Sequence, residues 1–136
     1  MTGRYVLDAN AVLDFADAAP GWKRVNQLLE DALQQRTEVF VSVLNWGEVY
    51  YCLWQQRGEE KARQTLARLS LLPFQLVPID LLQALKAGEI KAVHNIPYVD
   101  CIAAALATLY KAVLVTSDRD FEKLGWHAKI LWIPPK

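Results

Sequence analysis

Four acidic residues from distant parts of the sequence could act together in metal binding or catalysis: Asp8, Glu48, Asp100 and Asp118. Asp100 is the clearest case, because it is the only charged residue between Lys91 and Lys111 and its neighbours are nearly all apolar or small. A lone carboxylate in such a segment is costly unless it is paired, protonated or bound to a metal ion. Neither lysine is placed to reach Asp100 along the chain, so we expect its partner to come from elsewhere in the fold.

These acids follow or precede predicted strands in a way that brings them to one edge of a parallel sheet. Asp8 directly follows the first strand, Glu48 lies in the first turn of the helix after the second, and Asp118 follows the fourth. Asp100 lies in the first turn of the helix that leads into the fourth strand. That helix must run antiparallel to the strand, so its N-terminus lies at the carboxyl edge, where open α/β sheets bind ligands.

Such a cluster predicts a divalent-cation site. Without a cation the carboxylates would repel one another, and some would take up protons. Oxygen-only ligands suit Mg²⁺ or Mn²⁺, and carboxylate-held ions of this kind serve phosphodiester hydrolysis by activating water and neutralising phosphate charge. Three of the acids also have a structural explanation. Asp8 fits a turn, Glu48 fits a capping box with Asn45, and Asp118 fits a helix cap.

Other chemistries find little support in the sequence. His94 and His127 share no spacing typical of metal ligands or of a catalytic triad, and the chain contains neither a GxxxxGK[ST] nor a GxGxxG motif. Cys52 and Cys101 form no CxxC pattern, so we interpret both as reduced core residues of a cytoplasmic protein.

The composition is that of one globular domain, with 136 residues, 53% hydrophobic and 22% charged. No apolar run is long enough for a membrane span, and the start of the chain lacks the pattern of a secretory signal. The 15 basic and 15 acidic residues cancel, so a nucleic acid would have to be met by local charge. Arg119, between two acids, is the predicted phosphate contact, with Lys123 one helical turn further on.

Apolar runs and helical periodicities alternate along the chain, which predicts a parallel α/β sheet with helices on both faces. The predicted strands are Arg4–Leu7, Val39–Val43, Phe74–Ile79, Ala112–Val115 and Ile130–Ile133. The predicted helices are Ala11–Ala18 capped by Asn10, Trp22–Arg36, Asn45–Arg57, Glu59–Leu71, Leu81–Val93 capped by Asp80, a helix that starts at Pro97, and Phe121–Leu124.

Four segments, in this order, resemble the PIN-domain family of metal-dependent nucleases and, in their short single-domain form, VapC-type toxins. They are YVLDANAVLDF at 5–15, VSVLNWGEV at 41–49, YVDCIAAALA at 98–107 and LVTSDRDFEKLG at 114–125. The resemblance implies a three-layer α/β/α domain with a five-stranded parallel sheet in the order 3-2-1-4-5. It also implies dependence on Mg²⁺ or Mn²⁺, RNA cleavage, a homodimer and inhibition by a small antitoxin.

The same resemblance places the family's acidic residues at Asp8, Glu48, Asp100 and Asp118, with polar support from Asn10, Thr116, Ser117 and Asp120. In this interpretation three aspartates hold the metal, and Glu48 is a further ligand or the base that orients water. Two alternatives are a non-cleaving PIN scaffold and a receiver-like, Mg²⁺-dependent phosphoacceptor. The phosphoacceptor expects a single helix between consecutive strands, whereas the sequence predicts two in three of the connections.

Three large aromatic residues recur at i, i+4 and i+8 in the helix that carries Glu48: Trp46, Tyr50 and Trp54. A helix packed on a sheet needs one apolar face, and this one has enough apolar residues for two. Trp and Tyr are favoured where one end of the side chain stays in water. We therefore expect a second subunit or an antitoxin helix to cover part of this aromatic stripe.

Overall fold

The computed structural model describes residues 3–135, apart from the side chains of Trp126 and His127. It contains a five-stranded parallel sheet in the order β3-β2-β1-β4-β5, which confirms the predicted order. The strands are β1 Gly3–Leu7, β2 Thr37–Ser42, β3 Gln75–Val77, β4 Val113–Thr116 and β5 Ile130–Trp132. The helices are α1 Ala9–Ala16, α2 Trp22–Leu33, α3 Val43–Arg57, α4 Glu59–Leu69, α5 Leu81–Val93, α6 Tyr98–Leu109 and a 3₁₀ helix at Arg119–His127 that is interrupted at Gly125.

The two faces of the sheet are buried in two separate apolar clusters. Val6, Phe40 and Leu114 face α6, whereas the alternate residues Val39 and Val115 pack with α1 to α4. This alternation follows from the period of two along a strand. Both faces are therefore covered, as the near-continuous apolar character of the strands requires.

The most buried helix is α6, in which every residue from Cys101 to Ala107 is buried. Small side chains let α6 lie close to the sheet, and α5 covers its outer side. Pro97 occupies the N-cap position with extended backbone angles, so the helix begins at Tyr98, one residue later than predicted. In residues 3–135 no single helix is long and apolar enough to cross a membrane; α5 and α6 meet that length and composition only as a pair bent by 119°.

Two predicted helix caps are wrong. Asp8, rather than Asn10, caps α1, because its carboxylate accepts a hydrogen bond from the Ala11 N–H at 2.8 Å. Ser42, rather than Asn45, caps α3, which begins at Val43. Glu48 consequently lies in the second turn of α3, so it does not occupy the capping-box position. Serine and aspartate cap as well as asparagine does, so the sequence offered competing starts for both helices.

Smaller boundary differences have local causes. β3 is shorter than predicted because it is an edge strand and Pro78 has no N–H to donate to a neighbouring strand. Cys101 is buried as expected, but Cys52 is only half-buried. Two helices connect β1 to β2, β2 to β3 and β3 to β4, as the sequence predicts. This arrangement differs from the single-helix connections of a receiver-like phosphoacceptor.

Candidate active site

The structure brings all four predicted acids to the carboxyl edge of the sheet. Carboxylate oxygens of Asp100, Asp118 and Asp120 all lie within 4.8 Å of one another. Asp8 interacts electrostatically with Asp100 and Asp118, and Glu48 interacts with the same two aspartates. We call these five residues the acidic cluster. It unites side chains from the ends of β1 and β4 with others from α3 and α6.

Asp8 is the most buried member, with 3% of its surface exposed. One carboxylate oxygen accepts the Ala11 N–H, and the other accepts the Thr116 hydroxyl. The pKa of Asp8 is raised to about 7, mainly by burial and to a lesser extent by repulsion from Asp100 and Asp118, although both hydrogen bonds lower it. The residue therefore serves two purposes, as the cap of α1 and as a carboxylate facing other carboxylates.

Asp100 is half-buried and lies in the first turn of α6. Asp100 thus precedes the fully buried part of α6, which begins at Cys101, although its neighbours in sequence are mostly apolar. Burial is still the largest cause that raises the pKa of Asp100 to about 7, followed by repulsion from Asp118, Glu48 and Asp120.

Asp118 caps the 3₁₀ helix, since its carboxylate accepts the Asp120 N–H at 2.9 Å. The Asn10 side-chain amide, from α1, donates to the second oxygen at 3.4 Å. The Thr116 hydroxyl donates to Asp8 and accepts the backbone N–H of Asp118 at 2.9 Å. Thr116 therefore couples two members of the acidic cluster through one oxygen atom.

Glu48 is half-buried, and burial raises its pKa. The Asn45 amide, one turn earlier in α3, hydrogen-bonds Glu48 and lowers that pKa in part. Asn45 is fully buried, and its Nδ2 also donates to the carbonyl of Val99 at 3.3 Å. It thereby ties the helix of Glu48 to the residue before Asp100. Its Oδ1 has no hydrogen-bond partner among the described residues.

Ser117, predicted as polar support beside the acids, instead donates to Asp14 at 2.7 Å. Sequence reasoning missed both Asp14 and Asn45. Asp14 is 4% exposed, and the available signal was a charge between Leu13 and Phe15 on the apolar face of a short helix. Asn45 was assigned to a cap, which concealed its contact with Glu48 and Val99.

Arg119 is exposed and held by two neighbours. Its guanidinium lies 4.6 Å from the centre of the Trp132 ring, and its Nη1 is 3.3 Å from Glu122. Lys123 donates to the carbonyl of Asn95 at 3.1 Å, which ties the 3₁₀ helix to the turn before α6. The side chain of His127 lies outside the described residues.

The cluster fits a hard divalent cation. Its donors are carboxylate oxygens, which Mg²⁺ and Mn²⁺ prefer. Burial and mutual repulsion hold two of the aspartates at a pKa of about 7 in the metal-free chain. A cation among them would favour the ionised form of every member. The Asn45 Oδ1, which has no hydrogen-bond partner among the described residues and lies in the same helix as Glu48, is a further neutral oxygen at this edge.

The five-stranded parallel sheet and the acids beyond the ends of β1 and β4 together have the arrangement of a small α/β domain with a metal-binding edge. The chain is a member of the PIN-domain family, whose model matches residues 5–127. No curated protein sequence matches it.

Solved structures share the fold at low sequence identity. VapBC2 from Rickettsia felis, bound to a DNA fragment from its promoter, is 17% identical with a TM-score of 0.77, covering 94% of this chain and 97% of its own. VapBC-1 from nontypeable Haemophilus influenzae is 18% identical with a TM-score of 0.73, covering 95% and 97%. The sarcin–ricin loop cleaving toxin VapC20 from Mycobacterium tuberculosis is 15% identical with a TM-score of 0.69, covering 89% and 95%.

The raised pKa values predict how stability depends on pH in the metal-free protein. Between the usual value of 3.8 and about 7, the folded chain holds protons on Asp8 and Asp100 that the unfolded chain has lost. The free energy of unfolding therefore falls as pH rises through this window and levels off above it. Melting in EDTA from pH 5 to 8 should show a steeper loss for wild type than for Asp8→Asn or Asp100→Asn.

At pH 8 both variants should melt at or above the wild-type temperature, since a neutral amide removes the repulsion. A gain of about 1 kcal/mol would raise the midpoint by roughly 4 °C. A variant that melts several degrees below wild type at pH 8 would mean instead that its carboxylate is structural.

Proposed function

We propose that the chain is a metal-dependent endoribonuclease and the toxin of a type II toxin–antitoxin pair. The observation that carries the proposal is the acidic cluster, in which carboxylates from four parts of the chain, most of them buried or half-buried, meet without a basic partner among the described residues. Membership of the PIN-domain family supports nuclease chemistry, and the fold shared with VapBC proteins supports the toxin assignment. Such a protein would act in the cytoplasm.

Asp8, Asp100 and Asp118 would hold Mg²⁺ or Mn²⁺, with Glu48 as a further ligand or as the base that orients water. An ion held there would activate a water molecule and neutralise charge on the phosphate. The chain's own residues fix the ligands, since Thr116 and the Ala11 N–H orient Asp8, and the Asn10 amide orients Asp118. Asp120 adds negative charge beside Asp100 and favours cation binding.

RNA cleavage should depend on each of the three aspartates. Asp8→Asn, Asp100→Asn and Asp118→Asn should each lose Mg²⁺- or Mn²⁺-dependent cleavage by more than the roughly 10–100-fold that outer partners of a metal typically contribute. Cleavage of a labelled mixed-sequence RNA, with and without EDTA, measures this effect.

Asp80→Asn is the matched control, because Asp80 caps α5 at the Gln83 N–H and takes no part in the acidic cluster. It should cleave as wild type does. Wild-type turnover by purified Asp100→Asn would refute the mechanism. A folded wild-type protein that binds RNA but never cleaves it would favour the PIN scaffold.

Arg119 is the proposed phosphate contact. Its guanidinium stacks on Trp132 at the edge of the acidic cluster, and its partner Glu122 is itself exposed, so a phosphate can replace that partner. In EDTA, Arg119→Ala should weaken RNA binding and reduce the slope of log affinity against log salt by about 0.7, the value for one phosphate on a single strand. Lys61→Ala, which removes an exposed cation of α4, is the control, and an unchanged slope for Arg119→Ala would remove Arg119 from the site.

Two apolar surfaces fit the proposed homodimer and antitoxin. On α5, Leu81, Leu82 and Leu85 are each more than half exposed, and Tyr98 adjoins them through its hydrogen bond to the Ala84 carbonyl. We call this the α5 surface. Tyr98 extends this surface from α5 to the first residue of α6. Contiguous exposed apolar residues of this kind mark interaction sites.

The aromatic stripe is only partly covered by the chain itself. Trp46 packs on Phe74 at 5.3 Å between ring centres, whereas Trp54 contacts Tyr50 and remains 42% exposed. Trp46 and Tyr50 also line a groove of about 250 Å³ with Arg63 of α4. An antitoxin helix would lie in this groove, with the apolar side of the helix against the aromatic rings.

Leu82→Glu and Trp54→Glu separate the two surfaces. Leu82→Glu should reduce the mass measured by light scattering to that of a monomer, because a charge at the centre of the α5 surface opposes its burial. Trp54→Glu should keep the wild-type mass and lose binding of the small protein encoded next to the gene. A folded Leu82→Glu dimer would contradict the first assignment, and wild-type partner binding by Trp54→Glu the second.

A further inference from the structure

Asp14 is a buried carboxylate for which the proposed chemistry has no use. It lies near the C-terminal end of α1, is 4% exposed and accepts the Ser117 hydroxyl at 2.7 Å. It takes no part in the electrostatic interactions of the acidic cluster. Burial of a polar group is costly unless hydrogen bonds replace its lost hydration. The role of Asp14 therefore depends on its hydrogen bond to Ser117.

Ser117 stands between two residues that serve the acidic cluster. Thr116 binds Asp8 through its hydroxyl, and Asp118 contributes its carboxylate. Successive side chains of an extended segment point to opposite faces of the sheet. Thr116 faces the side of α6, so Ser117 faces the side of α1, where Asp14 meets it. The end of β4 and the residue after it are thus held from opposite faces of the sheet, each time by a hydroxyl that donates to a carboxylate.

The two carboxylates that fasten this segment belong to one rigid element. Asp8 caps α1 at its N-terminus and Asp14 lies six residues later near its C-terminal end. With Thr116 and Ser117 both held against α1, the next residue has little freedom in where it directs its carboxylate.

We propose that Asp14 is a positioning residue, which acts through Ser117 to aim Asp118 at the acidic cluster. The purpose of this role depends on the proposed function. Its structural effect is on residues 116–120, so it can be tested without RNA. The Asp118 N–H, bound by Thr116, and the Asp120 N–H, bound by the Asp118 carboxylate, report directly on that segment.

Hydrogen exchange of these two amides is the first measurement. In the metal-free protein, Ser117→Ala and Asp14→Ala should each speed their exchange by about tenfold, as expected for loss of one buried hydrogen bond. Exchange of β1 amides should not change. Asp14→Asn keeps an acceptor for the Ser117 hydroxyl and should preserve most of the protection.

Affinity for Mn²⁺, measured by electron paramagnetic resonance on the metal-free protein, is the second measurement. Ser117→Ala and Asp14→Ala should each weaken binding by about tenfold, the lower end of what outer partners of a metal contribute. The double variant should be no weaker than either single one, because both remove the same interaction.

The outcomes separate this role from the proposed function. Faster exchange at Asp118 and Asp120 supports positioning even if wild type fails to cleave RNA. Wild-type exchange and Mn²⁺ affinity in folded Ser117→Ala would overturn the inference, and that variant removes only one oxygen atom. Equal damage from Asp14→Asn and Asp14→Ala would also overturn it, since the charge of Asp14 rather than its acceptor oxygen would then matter.

Discussion

The cost of keeping carboxylates close together and partly out of water governs the rest of this structure. Asp8 is almost completely buried and faces other acids, so each of its oxygens is occupied by a donor, one from the backbone of α1 and one from Thr116. Even so, burial outweighs both hydrogen bonds and raises its pKa to about 7. The polar residues beside the acids offset only part of a cost that the fold itself imposes.

The topology explains why this cost arises at one place. Parallel strands end at the same edge of the sheet, and a helix that leads into a parallel strand starts at that edge. Asp8 and Asp118 arrive with β1 and β4, the central neighbours in the sheet. Asp100 arrives with α6, whose buried small residues let it lie directly over those strands. Side chains up to about 110 residues apart in sequence are thus brought together by the order of the sheet.

The resemblance to the PIN-domain family implied the order of the sheet, whereas the convergence of the four acids on one edge was predicted from their positions beside the predicted strands. The errors in the sequence-based predictions are local. Asn10 and Asn45 were given capping positions that Asp8 and Ser42 occupy, since propensity alone cannot choose among residues that cap equally well.

Asp14 was missed for a different reason. Its only signal is a charge on an apolar helical face, and its partner Ser117 lies 103 residues away. No helical or strand periodicity links two such positions, so the contact becomes visible only once α1 and the segment after β4 are placed side by side. The same limit applied to Asn45, whose partner Val99 is 54 residues away.

The distribution of basic residues explains why the acids stay unneutralised within the chain. Every ion pair among the described residues lies outside Asp8, Glu48, Asp100 and Asp118; Arg57, for example, pairs with Asp17 at the far end of α3. Arg119 is the nearest cation in sequence, yet it stacks on Trp132 and pairs with Glu122 instead. An arginine inserted among the acids would fill the space that a metal ion needs and would neutralise the carboxylates that bind it. Stacking on the indole keeps the charge of Arg119 beside the cluster, as the proposed phosphate contact would require, and leaves the carboxylates available to the proposed cation.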